Sequence, residues 1–226
     1  MFAGVQLTED KKDTAPAVSA EAAAGTAVDL SGTTTLRTLN KLPAKPAALK
    51  DSTLILVDYQ NTYTKGTMEL EGWKPALDKA ADLLQRTRAA GGKVIHVQND
   101  GGKGTPYDVT ADIGKIHPQV APIDGEPVVT KKVPNAFVGT NLGALVDKAG
   151  NKNVVIAGFM THMCVTFTAE GAFLRGNAPT VVSDASATRS LPTPGGGVSA
   201  AQVHQGALAT IGDLFGVVVE SGSELT

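Results

Sequence analysis

The sequence predicts an α/β fold with three layers, a doubly wound, mainly parallel sheet carrying helices on both faces. Three observations lead there. Short continuous apolar runs of four residues recur along the chain, as expected of strands buried on both sides of a parallel sheet. Segments with helical spacing of apolar residues alternate with those runs. The connections are short and contain Gly and Asn, which suits right-handed βαβ crossovers.

Residues 11 to 35 are rich in Ala, Thr, Ser and Gly, with no aromatic residue and no sustained period, so residues 1–50 are expected to be a partly irregular N-terminal arm. The opening MFAGVQLTEDKK places its charges after a short apolar patch. A secretory leader has the opposite order, so a cytoplasmic protein is expected, although the arm also has the composition of a removable leader. One domain is expected over residues 51–226. Its first strand is the run Leu54-Ile55-Leu56-Val57. Residues 74 to 90 place Ala76, Leu77, Ala80, Leu83, Leu84 and Thr87 on one helical face, with Pro75 near the start and Gly91-Gly92 at the stop. Val94 to Val97 is the next strand, and Val128-Val129 opens a short extended segment leading to Lys131. A helix follows from Asn141 to Ala149, a strand from Val154 to Ala157 and a helix from Met163 to Arg175. Thr180 to Val182, Ala200 to Phe215 and Val217 to Val219 complete the pattern as strand, helix and strand. Gly195-Gly196-Gly197, after Pro192 and Pro194, reads as either a mobile flap or a plain turn.

Composition narrows the function classes. In 226 residues, apolar types make up 42% and charged types 19%, and no apolar run is long enough to span a membrane. The formal net charge is -2 and there is no basic block, so nucleic acid and membrane are not expected partners. The single cysteine, Cys164, excludes an intrachain disulfide and a thiolate zinc cage.

Ligands of open α/β sheets bind at the carboxyl ends of the strands. The residues just after the apolar runs include Asp58, Asn99, Lys131 and the stretch Gly158 to Cys164. Cys164 follows a strand and a turn and opens a helix, where free amides and the helix dipole favour a thiolate and a developing oxyanion. A lone buried Cys is also a common apolar packing residue. Asp58 could take a thiol proton, or could cap a loop. Lys131 could stabilise both anions, or could be a solvated lysine beside Lys132.

The strings LILVDYQNTY (54 to 63), VVTKKVPNAFVGTNL (128 to 142) and VVIAGFMTHMCVTFTA (154 to 169) resemble the three signature segments of the isochorismatase-like cysteine hydrolases. The resemblance spans roughly residues 36 to 226. It implies the isochorismatase-like hydrolase fold, with Asp58 as general base, Lys131 as its charge partner and Cys164 as nucleophile. Lys131 is taken over Lys132 because the family lysine stands four residues before the Asn or Ser matching Asn135. A cis peptide before the cysteine, here Phe159–Met160, is also implied, with the Met160 and Cys164 amides forming an oxyanion hole. The implied reaction is hydrolysis of a small amide or lactam through a thioester, which needs no cofactor. The MTHMC string at 160 to 164 is closest to the streptothricin hydrolase type. The Asp-x-His pair of nicotinamidases is missing, and His96, His117, His162 and His204 are scattered singly, so no metal is expected.

Pocket candidates are Asn61, Tyr63, Trp73, Asn99, Phe137 and His162, with core packing the plainer reading for Trp73 and Phe137. Other readings stay open: hydrolysis of a non-amide substrate, a redox-active thiol protein, or a catalytically idle member. The expected partner is a small-molecule amide, and a homodimer or homotetramer is expected, since family relatives are commonly oligomeric and most oligomers are symmetric.

Overall fold

The computed structural model describes residues 28–226. Most of the expected arm therefore lies outside the described residues, and a compact unit runs from Thr34 to Thr226. Within that unit the one-turn helix α1 (Leu36–Leu39) is capped by the Thr35 hydroxyl and tied by its first amide to Asp213.

Six strands form one parallel sheet: β1 (Ser52–Val57), β2 (Lys93–Asn99), β3 (Val128–Lys131), β4 (Asn153–Gly158), β5 (Ala178–Val182) and β8 (Val217–Val219). Their spatial order is β3-β2-β1-β4-β5-β8, so the chain winds outward from β1 in one direction and then from β4 in the other. The switch between the two directions falls between β1 and β4, the place where such sheets open a crevice at their carboxyl edge. A separate antiparallel ribbon, β6 (Leu191–Thr193) and β7 (Gly196–Val198), contains the three glycines, so the segment is a hairpin.

Alternation along β1 divides the core. Leu54 and Leu56 face α2 (Trp73–Ala89), where Ala76, Leu77, Ala80, Leu83 and Leu84 form the apolar stripe read from the sequence. Ile55 and Val57 face α3 (Leu142–Ala149) and α4 (Thr166–Leu174), with Leu142, Val146, Ala169 and Ala172 buried beneath them. The helix α5 (Ala200–Thr210) begins with a Ser199/Gln202 capping box and ends in a wide π turn over Ile211–Phe215. The continuous helix expected to Phe215 thus changes pitch after Thr210. Among the described residues no helix is long and apolar enough to cross a membrane.

Two backbone details position the crevice. Gly158 is paired with Val57, and a Cβ there would lie 2.1 Å from the Val57 carbonyl oxygen, so only glycine permits this approach of β4 to β1. Asp58, next along β1, has φ +53°, a left-handed conformation that Asp adopts more readily than most residues. The strand therefore ends in a sharp turn that leaves the Asp58 carboxylate wholly buried.

Candidate active site

Three strand ends deliver the polar groups. Asp58 follows β1. Lys131 ends β3, where exposure alternates so that Val129 and Lys131 point inward and Val128 and Thr130 outward. The register pairs Lys131 with Asn99 of β2. Cys164 follows β4 on a π-helical turn, Thr161–Val165, that runs into α4. The helix expected from Met163 thus begins two residues earlier and as a wider turn. Its bond from the Val165 amide reaches the Met160 carbonyl at 3.3 Å.

The Lys131 ammonium joins the set. Its Nζ lies 2.7 Å from Asp58 Oδ2, 3.2 Å from Cys164 Sγ and 3.3 Å from Asn99 Oδ1. Asp58 is inaccessible, Lys131 is 1% exposed and Cys164 7%. Neither Asp58 oxygen has an aligned hydrogen-bond donor among the described residues, so the contact with Lys131 is an ion pair and acceptor capacity remains. Gln60, also inaccessible, braces the arrangement. Its Nε2 donates to the carbonyls of Asn99 and Gly114, and its Oε1 accepts from the Asn99 amide at 2.8 Å.

Burial sets the protonation states. It pushes the Asp58 carboxyl above its usual range, against the pull of Lys131. Burial alone would lower the Lys131 ammonium, but the Asp58 charge, with the Cys164 sulfur beside it, leaves it raised. Burial and then the Asp58 charge push the Cys164 thiol up to about 12, with Lys131 opposing. At rest the arrangement is a neutral thiol beside an ion pair. A thiol so protonated can act as a nucleophile only if a base removes its proton as it attacks, and the Asp58 carboxylate is the adjacent base.

The Phe159–Met160 peptide is cis, and the Met160 amide has no acceptor among the described residues. Of the other expected residues, Tyr63 is buried edge-on to Tyr107 and Phe159, and burial and then the Asp58 charge push its hydroxyl up. His162 bonds Thr188 Oγ1 through Nδ1 at 2.6 Å and is held below its usual range by burial, then by the Arg189 charge. Asn61 instead ties down a loop, donating from Nδ2 to the Asp112 carbonyl. Trp73 packs beside the His117 ring, and Phe137 lies under the Arg175 guanidinium, 5.5 Å from its ring centre. The four histidines stay separate: His96 meets Glu126, His117 accepts from the Gln119 amide, and His204 lies between Thr161 and Ser183. Gln60, Tyr107 and Arg189 were not anticipated. Arg189 had a signal, since it lies in the loop after a strand at the carboxyl edge of the sheet. Tyr107 lies in a Gly-rich connection with no period to read.

The switch point of the open parallel sheet thus gathers a buried carboxylate, ammonium and thiol. Residues 52–223 match the isochorismatase domain family, and the chain belongs to that family of hydrolases. It is 34% identical over 186 residues to the secreted isochorismatase effector of Verticillium dahliae, covering 82% of this chain and 96% of that protein. It is 33% identical over 179 residues to a streptothricin hydrolase of Streptomyces noursei, covering 78% of this chain and 71% of that one. A crystal structure of an isochorismatase from Pseudomonas putida matches with a TM-score of 0.82 at 35% identity, covering 85% of this chain and 99% of that chain.

Proposed function

We propose that this protein is a cysteine hydrolase that cleaves a C–N bond of a small amide or lactam through a thioester. The observation that carries the reading is the bridging of Asp58 and Cys164 by one buried ammonium, at 2.7 and 3.2 Å. Asp58 takes the Cys164 proton as sulfur forms a bond to the carbonyl carbon. The oxyanion rests on the Met160 and Cys164 amides. Asp58 returns the proton to the nitrogen, the C–N bond breaks and the amine leaves. Water, deprotonated by Asp58, then attacks the thioester, the acid departs and the thiol regains its proton. Lys131 stays charged throughout, balancing whichever partner is the anion.

Two further observations support this choice. A redox-sensing thiol works through a low pKa, whereas burial and Asp58 drive this one up to about 12. A relative described as a streptothricin hydrolase favours an amide-type bond. The expected cytoplasmic location rests on the order of charges in the first twelve residues, while another relative is described as secreted. Culture fractionation decides between them. A homodimer or homotetramer remains our expectation, and a monomeric mass by light scattering would overturn it.

Intact mass after incubation with a panel of small amides and lactams, run to single turnover, tests the activity. An acyl adduct on wild type that disappears in Cys164→Ala supports it. Turnover retained in Cys164→Ala would overturn it.

A further inference from the structure

Arg189 has no counterpart in the catalytic scheme, yet its environment is unusual for a cation. The residue is half-buried, and its Nε is fully enclosed without an acceptor. Nη1 reaches only Met68 Sδ at 3.6 Å, and thioether sulfur is a weak acceptor. No carboxylate lies within 4 Å of the guanidinium among the described residues. Glu71, whose backbone bridges that of Thr188, is instead engaged by Ser190, whose amide and hydroxyl meet its Oε1 at 3.3 and 2.6 Å. With Nε enclosed, the edge of the fork open to a ligand is Nη1 and Nη2, which have no oxygen acceptor among the described residues.

The chain path sets this cation beside the reacting groups. The segment Ala187 to Ser190 runs along Phe159 to His162. Ala187 bridges Phe159, the Ala187 carbonyl accepts from the Thr161 amide at 3.0 Å, and Thr188 Oγ1 meets His162 Nδ1. Arg189 follows directly. Its charge reaches both His162 and Tyr107, and Tyr107 in turn feels the Asp58 charge. Among these groups Lys131 and Asp58 cancel, the thiol is neutral and burial keeps His162 uncharged, so Arg189 carries the charge left over.

We propose that Arg189 is a specificity-determining subsite for a carboxylate on the substrate, so that the amide cleaved at Cys164 carries an anionic group on the side facing His162 and Tyr107. The planar fork of a guanidinium suits two-point recognition of a carboxylate. This deepens the amide-hydrolase reading and rests on it for the identity of the scissile bond.

Two alkylating probes that differ only in charge test the subsite without knowledge of the substrate. Iodoacetate and iodoacetamide are each directed at Cys164, the single cysteine, and second-order rates at pH 8.5 are to be read by intact mass. The readout is the iodoacetate to iodoacetamide rate ratio. In Arg189→Met we expect it to fall at least tenfold from the wild-type value, and in Arg189→Lys, which keeps the charge, to fall less than threefold. A ratio in Arg189→Met within twofold of wild type would overturn the proposal, whether the two rates are both preserved or both reduced. A purely structural Arg189 changes both rates together and leaves the ratio unmoved. Failure here is distinct from failure of the hydrolase reading, because alkylation needs no turnover and the acyl-adduct test needs no anionic group.

Discussion

Replacing Asp58 by Asn should make the thiol easier to ionise and the protein worse at catalysis. The thiol, at about 12, is ionised in only ~10⁻⁵ of molecules at pH 7. The Asp58 charge is among the causes. Both Asp58 Oδ2 and Cys164 Sγ touch the same ammonium, so they stand within about 6 Å of each other. A unit charge at that range is worth about 3 kcal/mol at an effective dielectric of 20, or about two pKa units. Asp58→Asn should therefore lower the thiol to near 10 and raise the thiolate fraction at pH 7 about 100-fold, because Lys131 then has only the sulfur to neutralise. Turnover should nevertheless drop by ~10²–10⁴, since no group remains to carry the proton to the leaving nitrogen. The assay is the pH dependence of iodoacetamide labelling by intact mass, alongside turnover of whichever amide the panel yields. A thiol pKa that stays put or rises in Asp58→Asn refutes the electrostatic argument. Turnover within tenfold of wild type refutes the general-base role.

Two further predictions concern what holds the site in place. Gly158→Ala forces a Cβ to 2.1 Å from the Val57 carbonyl oxygen and 2.7 Å from the Val57 Cβ. It should cost about 3 kcal/mol, a Tm drop of about 6–12 °C by thermal melt for a chain of this size, and a Tm within 2 °C of wild type would mean the strands simply part. Glu126 is worked against by burial, but the Arg88 fork at 2.7 and 2.8 Å and the bond from His96 hold its carboxyl down at about 2. A depressed carboxyl contributes stability that is complete above its ordinary value of 4.5 and is lost as pH falls towards 2. Glu126→Gln should thus lose about 3 kcal/mol at pH 7, and denaturant melts should show the difference from wild type shrinking between pH 4.5 and 2. A pH-independent difference would contradict the assignment.

Much of the fold was legible because burial on both faces of a parallel sheet demands uninterrupted apolar runs, and Leu54 to Val57 and Val154 to Ala157 have that signature. The stripe of α2 was equally plain, since its six buried positions recur at helical spacing over 17 residues. Boundaries that depend on pitch were not legible. The turns at Thr161–Val165 and Ile211–Phe215 widen to π geometry by backbone bonding that residue type does not encode.

For the site, the chain alone determined which chemistry-bearing residues follow strands, and that there is one thiol to build on. Tertiary structure decided which of them meet. The spacing to Asn135 already singled out Lys131 over Lys132 by resemblance, but not what its ammonium would touch. Only pairing of Lys131 with Asn99, on the inward phase of a two-residue alternation, brings its ammonium to both Asp58 and Cys164. The unpaired guanidinium of Arg189 is likewise invisible in sequence, because an arginine's partners are set by packing across segments far apart in the chain. Protonation follows the same rule: the strand ends could be read from residue order, but the desolvation that raises Asp58 and Cys164 comes from everything packed around them.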